Sequence, residues 1–82
     1  MFKNKGPGEK LNISGPQIMK YRKAMPGRVS QRALAERLQR RGLDLGKNAI
    51  QQIEAGKRFV TDIELRALAE VLGVNVQALL YE

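Results

Sequence analysis

An all-α domain of five short helices is the fold class this sequence predicts, on three observations. Apolar residues recur at spacings of three and four, as in Ile18, Tyr21 and Met25 or in Leu34, Ala35 and Leu38. Cap-forming residues stand ahead of these runs, and glycines stand behind them. No stretch alternates polar with apolar side chains as a half-buried strand does, and no internal repeat is present. With 82 residues, the chain amounts to one domain at most, burying only about 60% of its unfolded surface. Its core is therefore expected to be small, a case in which helices are economical.

The elements follow in order. Residues 1–13 hold Gly6, Pro7 and Gly8 among Lys3, Lys5 and Lys10, with no apolar period, which predicts a flexible basic N-terminal tail ahead of a domain spanning 14–82. Ser14 is placed to cap a first helix, Pro16 suits its first turn, where a missing N–H does no harm, and Pro26 and Gly27 end it. Its inner face carries Ile18, Tyr21, Arg22 and Met25, so one arginine is directed inward with three apolar residues. Ser30 caps a second helix, with Val29 positioned to staple onto Leu34 and Gly42 as the stop. Asp44 or Gly46 precedes a third helix, from about Lys47 to Ala55, that stops at Gly56. In "VTDIEL", Thr61 and Glu64 have the spacing of a capping box and Val60 and Leu65 that of a staple, so a fourth helix begins near Asp62, buries Leu65, Leu68, Ala69 and Leu72, and closes at Gly73. Asn75 caps a final short helix bearing Val76, Leu79 and Leu80.

Composition removes several functional classes. There is no cysteine and no histidine, which excludes disulfides, thiolate metal sites, zinc fingers and histidine general bases, and no metal or cofactor is expected. Ser14 and Ser30 read as helix caps rather than nucleophiles, and Asp62 and Glu64 are accounted for by the dipole and cap of a helix start, so no catalytic residues are predicted and the chain does not read as an enzyme. No apolar run approaches the roughly 20 residues that cross a bilayer. A cytoplasmic protein without membrane contact is the expectation.

Charge is unevenly spread. Residues 1–60 carry 14 of the 15 Lys and Arg against 4 of the 8 acids, a net of +10, whereas residues 61–82 carry a net of −3. A polyanion-facing section thus joins a structural or partner-facing one. On the third helix, at 100° per residue, Ile50 and Ile53 point inward, while Asn48, Gln51 and Gln52 lie on the far side with Lys47 at one end and Lys57 and Arg58 beyond the other. Asn and Gln offer a donor beside an acceptor, the pattern that matches the N6 and N7 edge of adenine in the major groove, whereas lysine would bind phosphate without reading sequence.

The segments "SQRALAERL" at 30–38, "AIQQIEAGKR" at 49–58 and "LRALAEVLGVNVQALL" at 65–80 resemble the phage-repressor and Cro-type helix-turn-helix family, also called xenobiotic-response-element-like, over roughly residues 14–80. That resemblance implies a compact five-helix, lambda-repressor-like domain whose second and third helices form the helix-turn-helix, the third entering the major groove. It implies base contacts from Lys47, Asn48, Gln51 and Gln52, phosphate contacts from Gln31, Lys57 and Arg58, and an ion pair between Arg22 and Glu54, the latter four residues beyond Ile50 and so leaning toward the core. Leu38 and Ile50 stand farther apart than in the usual family turn. The second helix is accordingly expected to extend to near Arg41, with Leu43 or Leu45 filling the apolar position of the turn.

The function so implied is a sequence-specific, double-stranded DNA-binding transcriptional regulator, a repressor, localised to the cytoplasm and to the nucleoid when bound. One short helix reads few bases, so a homodimer on a two-fold operator is expected, with Val76, Leu79, Leu80 and Tyr81 as its apolar contact. No small-molecule ligand domain is expected within these 82 residues. The alternative is an antitoxin-like or adaptor module that keeps the fold for protein contacts, with weak DNA specificity. RNA recognition is disfavoured, because Phe2, Tyr21, Phe59 and Tyr81 are not clustered as a stacking platform would be.

Overall fold

The computed structural model of the chain describes residues 9–81, and within them it is all-helical: α1 (Gly15–Ala24), α2 (Gln31–Arg40), α3 (Lys47–Glu54), α4 (Asp62–Leu72) and α5 (Val76–Leu80). Local chemistry sets most boundaries. Ser30 lies in extended conformation and its Oγ accepts from Ala33 N at 3.0 Å, starting α2. At α4 the capping box is complete: Thr61 Oγ1 accepts from Glu64 N at 3.1 Å, and Glu64 Oε1 accepts from Thr61 N at 3.0 Å. Asn75 Oδ1 does the same for Ala78 N of α5 at 2.9 Å.

The start of α1 differs from the sequence expectation. Ser14 occupies the N-cap position but sits in helical conformation and makes no side-chain cap bond. Asn12 supplies the cap instead, its Oδ1 accepting from Gly15 N at 2.7 Å. The expected tail over 1–13 is therefore revised for Lys10–Asn12, which are tied to the end of α3 by hydrogen bonds; residues 1–8 of that expectation lie outside the described residues.

The core draws on every helix: Ile18 of α1, Leu34, Ala35 and Leu38 of α2, Ile50 and Ile53 of α3, Leu68, Ala69 and Leu72 of α4, and Leu79 of α5, with Val29 and Leu45 from connections. Each fully buried leucine or isoleucine contributes roughly 1.5 to 3 kcal/mol of transfer free energy. In the connection from α2 to α3, Gly42 at φ +85 lets the chain reverse, with Leu43 N donating to Leu38 O and Gly42 N to Gln39 O, both at 3.0 Å. Leu45 then drops into the core while Leu43 stays half-buried, and Gln39 Nε2 donates to Leu45 O at 3.3 Å, holding the connection against α2.

Two ion pairs fix what surrounds α3. Arg22 of α1 gives its guanidinium fork to Glu54 of α3, Nε to Oε2 at 2.6 Å and Nη2 to Oε1 at 2.9 Å, and Nη1 donates to Val29 O at 2.9 Å. Gln31 Nε2 of α2 completes the set on Glu54 Oε1 at 3.0 Å. Both charged side chains are inside, at 10% and 1% exposure. Hydrogen bonding to Glu54 raises the Arg22 pKa above its ordinary value, against the opposing effect of burial, with the carboxylate charge adding to the rise. Beyond α3, Arg58 pairs in the same forked way with Glu64 of α4, Nη1 to Oε1 at 2.9 Å and Nη2 to Oε2 at 3.0 Å. These Arg58 bonds hold the Glu64 carboxyl below the ordinary glutamate range, burial opposes them, and the Thr61 N–H reinforces them.

Removing one partner of the buried pair strands the other, so Arg22→Met or Glu54→Gln is expected to lose about 3 to 5 kcal/mol in denaturant unfolding. The double variant should lose clearly less than the sum of the two single losses, whereas additive losses under about 1 kcal/mol each would mean that the pair contributes no more than an exposed one. Glu64 makes stability depend on pH. Its folded pKa lies below its unfolded one, so its contribution is complete above the ordinary value of 4.5 and is lost as pH falls from there through the folded value. Acid titration of Glu64→Gln is expected to show a shallower loss of stability over that range than the parent chain.

Candidate nucleic-acid interface

The buried stripe of α3 determines its exposed one. Ile50, Ile53 and Glu54 are inside, and with 3.6 residues per turn the opposite, exposed side carries Asn48, Gln51 and Gln52, while Lys47 is exposed as the first residue of the helix. Their polar ends project from a helix whose own position is set from behind by the isoleucines and the Arg22–Glu54 pair. Gly46 occupies the N-cap of α3 and provides no side-chain cap bond. The first N–H groups of the helix are thus left for solvent or an incoming acceptor, beside the Lys47 ammonium.

The residues expected at phosphate fall into three situations. Lys57 is exposed just beyond the C-terminal end of α3. Gln31, in the first turn of α2, is half-buried and directs its Nε2 at Glu54, so its amide serves the ion pair. Arg58 has its fork on Glu64, and Nη1 also donates to Phe59 O at 3.0 Å, so this guanidinium braces the turn from α3 to α4. Arg22 and Glu54 meet in the core, as described above.

Outside this face, Arg32, Arg37 and Arg40 are exposed on α2 and Arg41 just past its end, and Arg41 lies 3.5 Å from Glu70 of α4 with both side chains about half exposed, a pair of little energetic weight. Among the described residues no cluster of three or more His, Cys, Asp or Glu could hold a metal ion, and no helix is long and apolar enough to cross a membrane.

Sequence reasoning passed over Asn12. Its Nδ2 donates to Ile53 O at 3.1 Å and to Arg58 O at 2.8 Å while its Oδ1 caps α1. The local signal was present, since Asn is a strong cap former and stands three residues ahead of Gly15, but Ser14 competed for the same role. The partners on α3 and beyond, 41 and 46 residues away, leave no trace in a local pattern.

Comparison with known proteins follows the same lines. No curated protein matches the chain. Among solved structures, the restriction-modification controller protein C.AhdI from Aeromonas hydrophila superposes with a TM-score of 0.70 at 25% identity, covering 84% of this chain and 90% of its own. The DNA-binding domain of BldD superposes with a TM-score of 0.72 at 28% identity, covering 93% of this chain and all of its own. The helix-turn-helix family model matches residues 18–79, a span that holds α2, α3, the connection between them and both ion pairs, and on that match the chain belongs to the helix-turn-helix family.

Proposed function

We propose that the chain is a sequence-specific, double-stranded DNA-binding transcriptional regulator that acts as a repressor and reads the major groove with α3. Membership of the helix-turn-helix family supports DNA regulation as the general role, and so does likeness to a controller protein and to a DNA-binding domain. The chain is a regulator rather than an enzyme. The observation that carries the finer reading is the division of α3, with Ile50, Ile53 and Glu54 committed to the core and Lys47, Asn48, Gln51 and Gln52 exposed together. Amides on the projecting face discriminate bases, and exposed cations such as Lys57 attach to phosphates. The protein works in the cytoplasm, at the nucleoid when bound.

Selection of bound duplexes from a random pool tests this reading directly. A defined site is expected to emerge, with log K falling against log salt at a slope of roughly −4 to −7 for about five to eight neutralised phosphates. On that site Gln52→Ala or Asn48→Ala should cost about 1 to 3 kcal/mol and relax preference at one or two positions, while Lys57→Ala weakens selected and scrambled DNA alike. Equal affinity for both duplexes at every ionic strength would sink the repressor reading in favour of an adaptor module.

The bound species is a homodimer on a two-fold site, since one eight-residue helix reads too little sequence alone. Of the C-terminal residues expected at its interface, Leu79 is spent on the core, Val76 and Leu80 are half-buried, and Tyr81 is 70% exposed. Leu80 borders a groove of about 390 Å³ with Ile13, Pro16 and Ala55, and with Lys10 and Asn12, which supports Leu80 as part of the contact, while Tyr81 is available through its exposure. Sedimentation on the selected duplex should give two chains per site, and Tyr81→Ser should shift it toward one; a selected site without inverted symmetry would exclude the arrangement.

A further inference from the structure

From the geometry at the C-terminal end of α3, we infer that Asn12 is a positioning residue for sequence reading, its carboxamide capping two helices at once and so setting the axis of α3. This rests on the DNA-reading role of α3 proposed above. Every strong hydrogen-bonding position of the carboxamide but one lone pair is used: both Nδ2 hydrogens go to carbonyls, Ile53 O in the last turn of α3 and Arg58 O in the turn beyond it, and Oδ1 takes the Gly15 N–H. Its neighbours extend the clasp. Leu11 N donates to Gly56 O at 2.8 Å and Lys10 Nζ to Ala55 O at 3.0 Å. Four carbonyls at and just past the C-terminal end of α3 thus receive donors from three consecutive residues, one donor being a cation at the negative end of the helix.

The approach is close enough to require glycine. A Cβ on Gly15 would lie 2.5 Å from Ile53 O and 2.9 Å from Glu54 O, so the positive end of α1 abuts the negative end of α3. The isoleucines and Glu54 hold α3 through side chains; Asn12 adds a directional bond to its backbone at Ile53, fixing how the C-terminal end of α3 meets the start of α1. The other end of α3, at Gly46, has no side-chain cap and projects as the reading end. Over the roughly 12 Å length of an eight-residue helix, a tilt of about 5° moves that end by about 1 Å, enough to spoil paired hydrogen bonds between an amide and a base edge.

Asn12→Asp separates the two caps, because the carboxylate keeps an acceptor for Gly15 N but has no N–H and sets negative charge against the Ile53 and Arg58 carbonyls. In the full chain this variant is expected to stay folded and to exchange the Gly56 and Lys57 amide hydrogens faster, with α4 amides unchanged. Its preference for the selected duplex over a scrambled one, measured as the ratio of the two affinities at one salt concentration, should fall by about three- to thirtyfold. Asn12→Ala, which adds no charge, should lose the ratio likewise, whereas Leu72→Val, destabilised in the core of α4, should keep it. An Asn12→Asp chain with faster local exchange but the wild-type ratio would overturn this inference and leave DNA reading by α3 standing. A wild-type chain with no sequence preference would overturn the DNA reading itself and the role of Asn12 with it.

Discussion

The carboxylate of Glu54 is the point on which this small structure is organised. It accepts from two nitrogens of Arg22 and from Gln31, and the third arm of the same guanidinium holds Val29 O. One charge therefore gathers α1, the segment before α2, the first turn of α2 and the last turn of α3. A buried ion pair is weak evidence of net stability, because apolar residues of equal volume often do as well. Its distinctive property is direction: leucines can slide against one another at little cost, whereas a forked arginine on a carboxylate tolerates one relative placement of the two helices. If the exposed face of the eight-residue α3 is the reading face, as proposed, directional anchoring behind it matters more than additional apolar area.

The two ends of α3 are treated in opposite ways, and the difference suits the role proposed for the helix. Its C-terminal end is surrounded by donors from Lys10, Leu11 and Asn12 and continues into a turn braced by Arg58 on Glu64. Its N-terminal end begins at a glycine, carries no acid in the first turn, and presents a lysine. Elsewhere the chain closes helix starts with side chains, as at Ser30, Thr61 and Asn75. A helix that is to meet an anion keeps its first N–H groups free, and an acid or a capping oxygen there would compete with the phosphate.

Much of this architecture was legible because it is local. The capping box at Thr61, the glycine stops and the inward stripes of α2, α3 and α4 all depend on spacings of three to four residues, and each reads directly from the chain. The inward lean of Arg22 and Glu54 was visible as charge out of place on an apolar face. That Leu45 rather than Leu43 would be buried was not decidable, since both flank Asp44 in a stretch without period. The docking of Lys10–Asn12 was hidden for a related reason: a Gly- and Lys-rich start reads as tail, and its partners are backbone carbonyls of distant residues, which carry no sequence identity. Arg58 and Gln31 mark a third kind of gap. Pattern tells that a polar side chain is near a surface, but whether it faces outward or turns to a neighbouring carboxylate is a matter of three-dimensional competition.

The connection between α2 and α3 is anchored at both ends, with an exposed residue, Asp44, where added length would meet no buried neighbour. Its two ends are secured independently, the first by the reversal at Gly42 and the second by Leu45 in the core; of the two residues between, Leu43 packs against the core and Asp44 is exposed. Loop closure costs only about 0.6 kcal/mol for each doubling of length. Residues inserted at the exposed Asp44 would leave Leu43 and Leu45 in place while enlarging the surface beside the N-terminal end of α3. A lineage could therefore reshape the surface next to α3 by lengthening the chain here, with every buried residue unchanged.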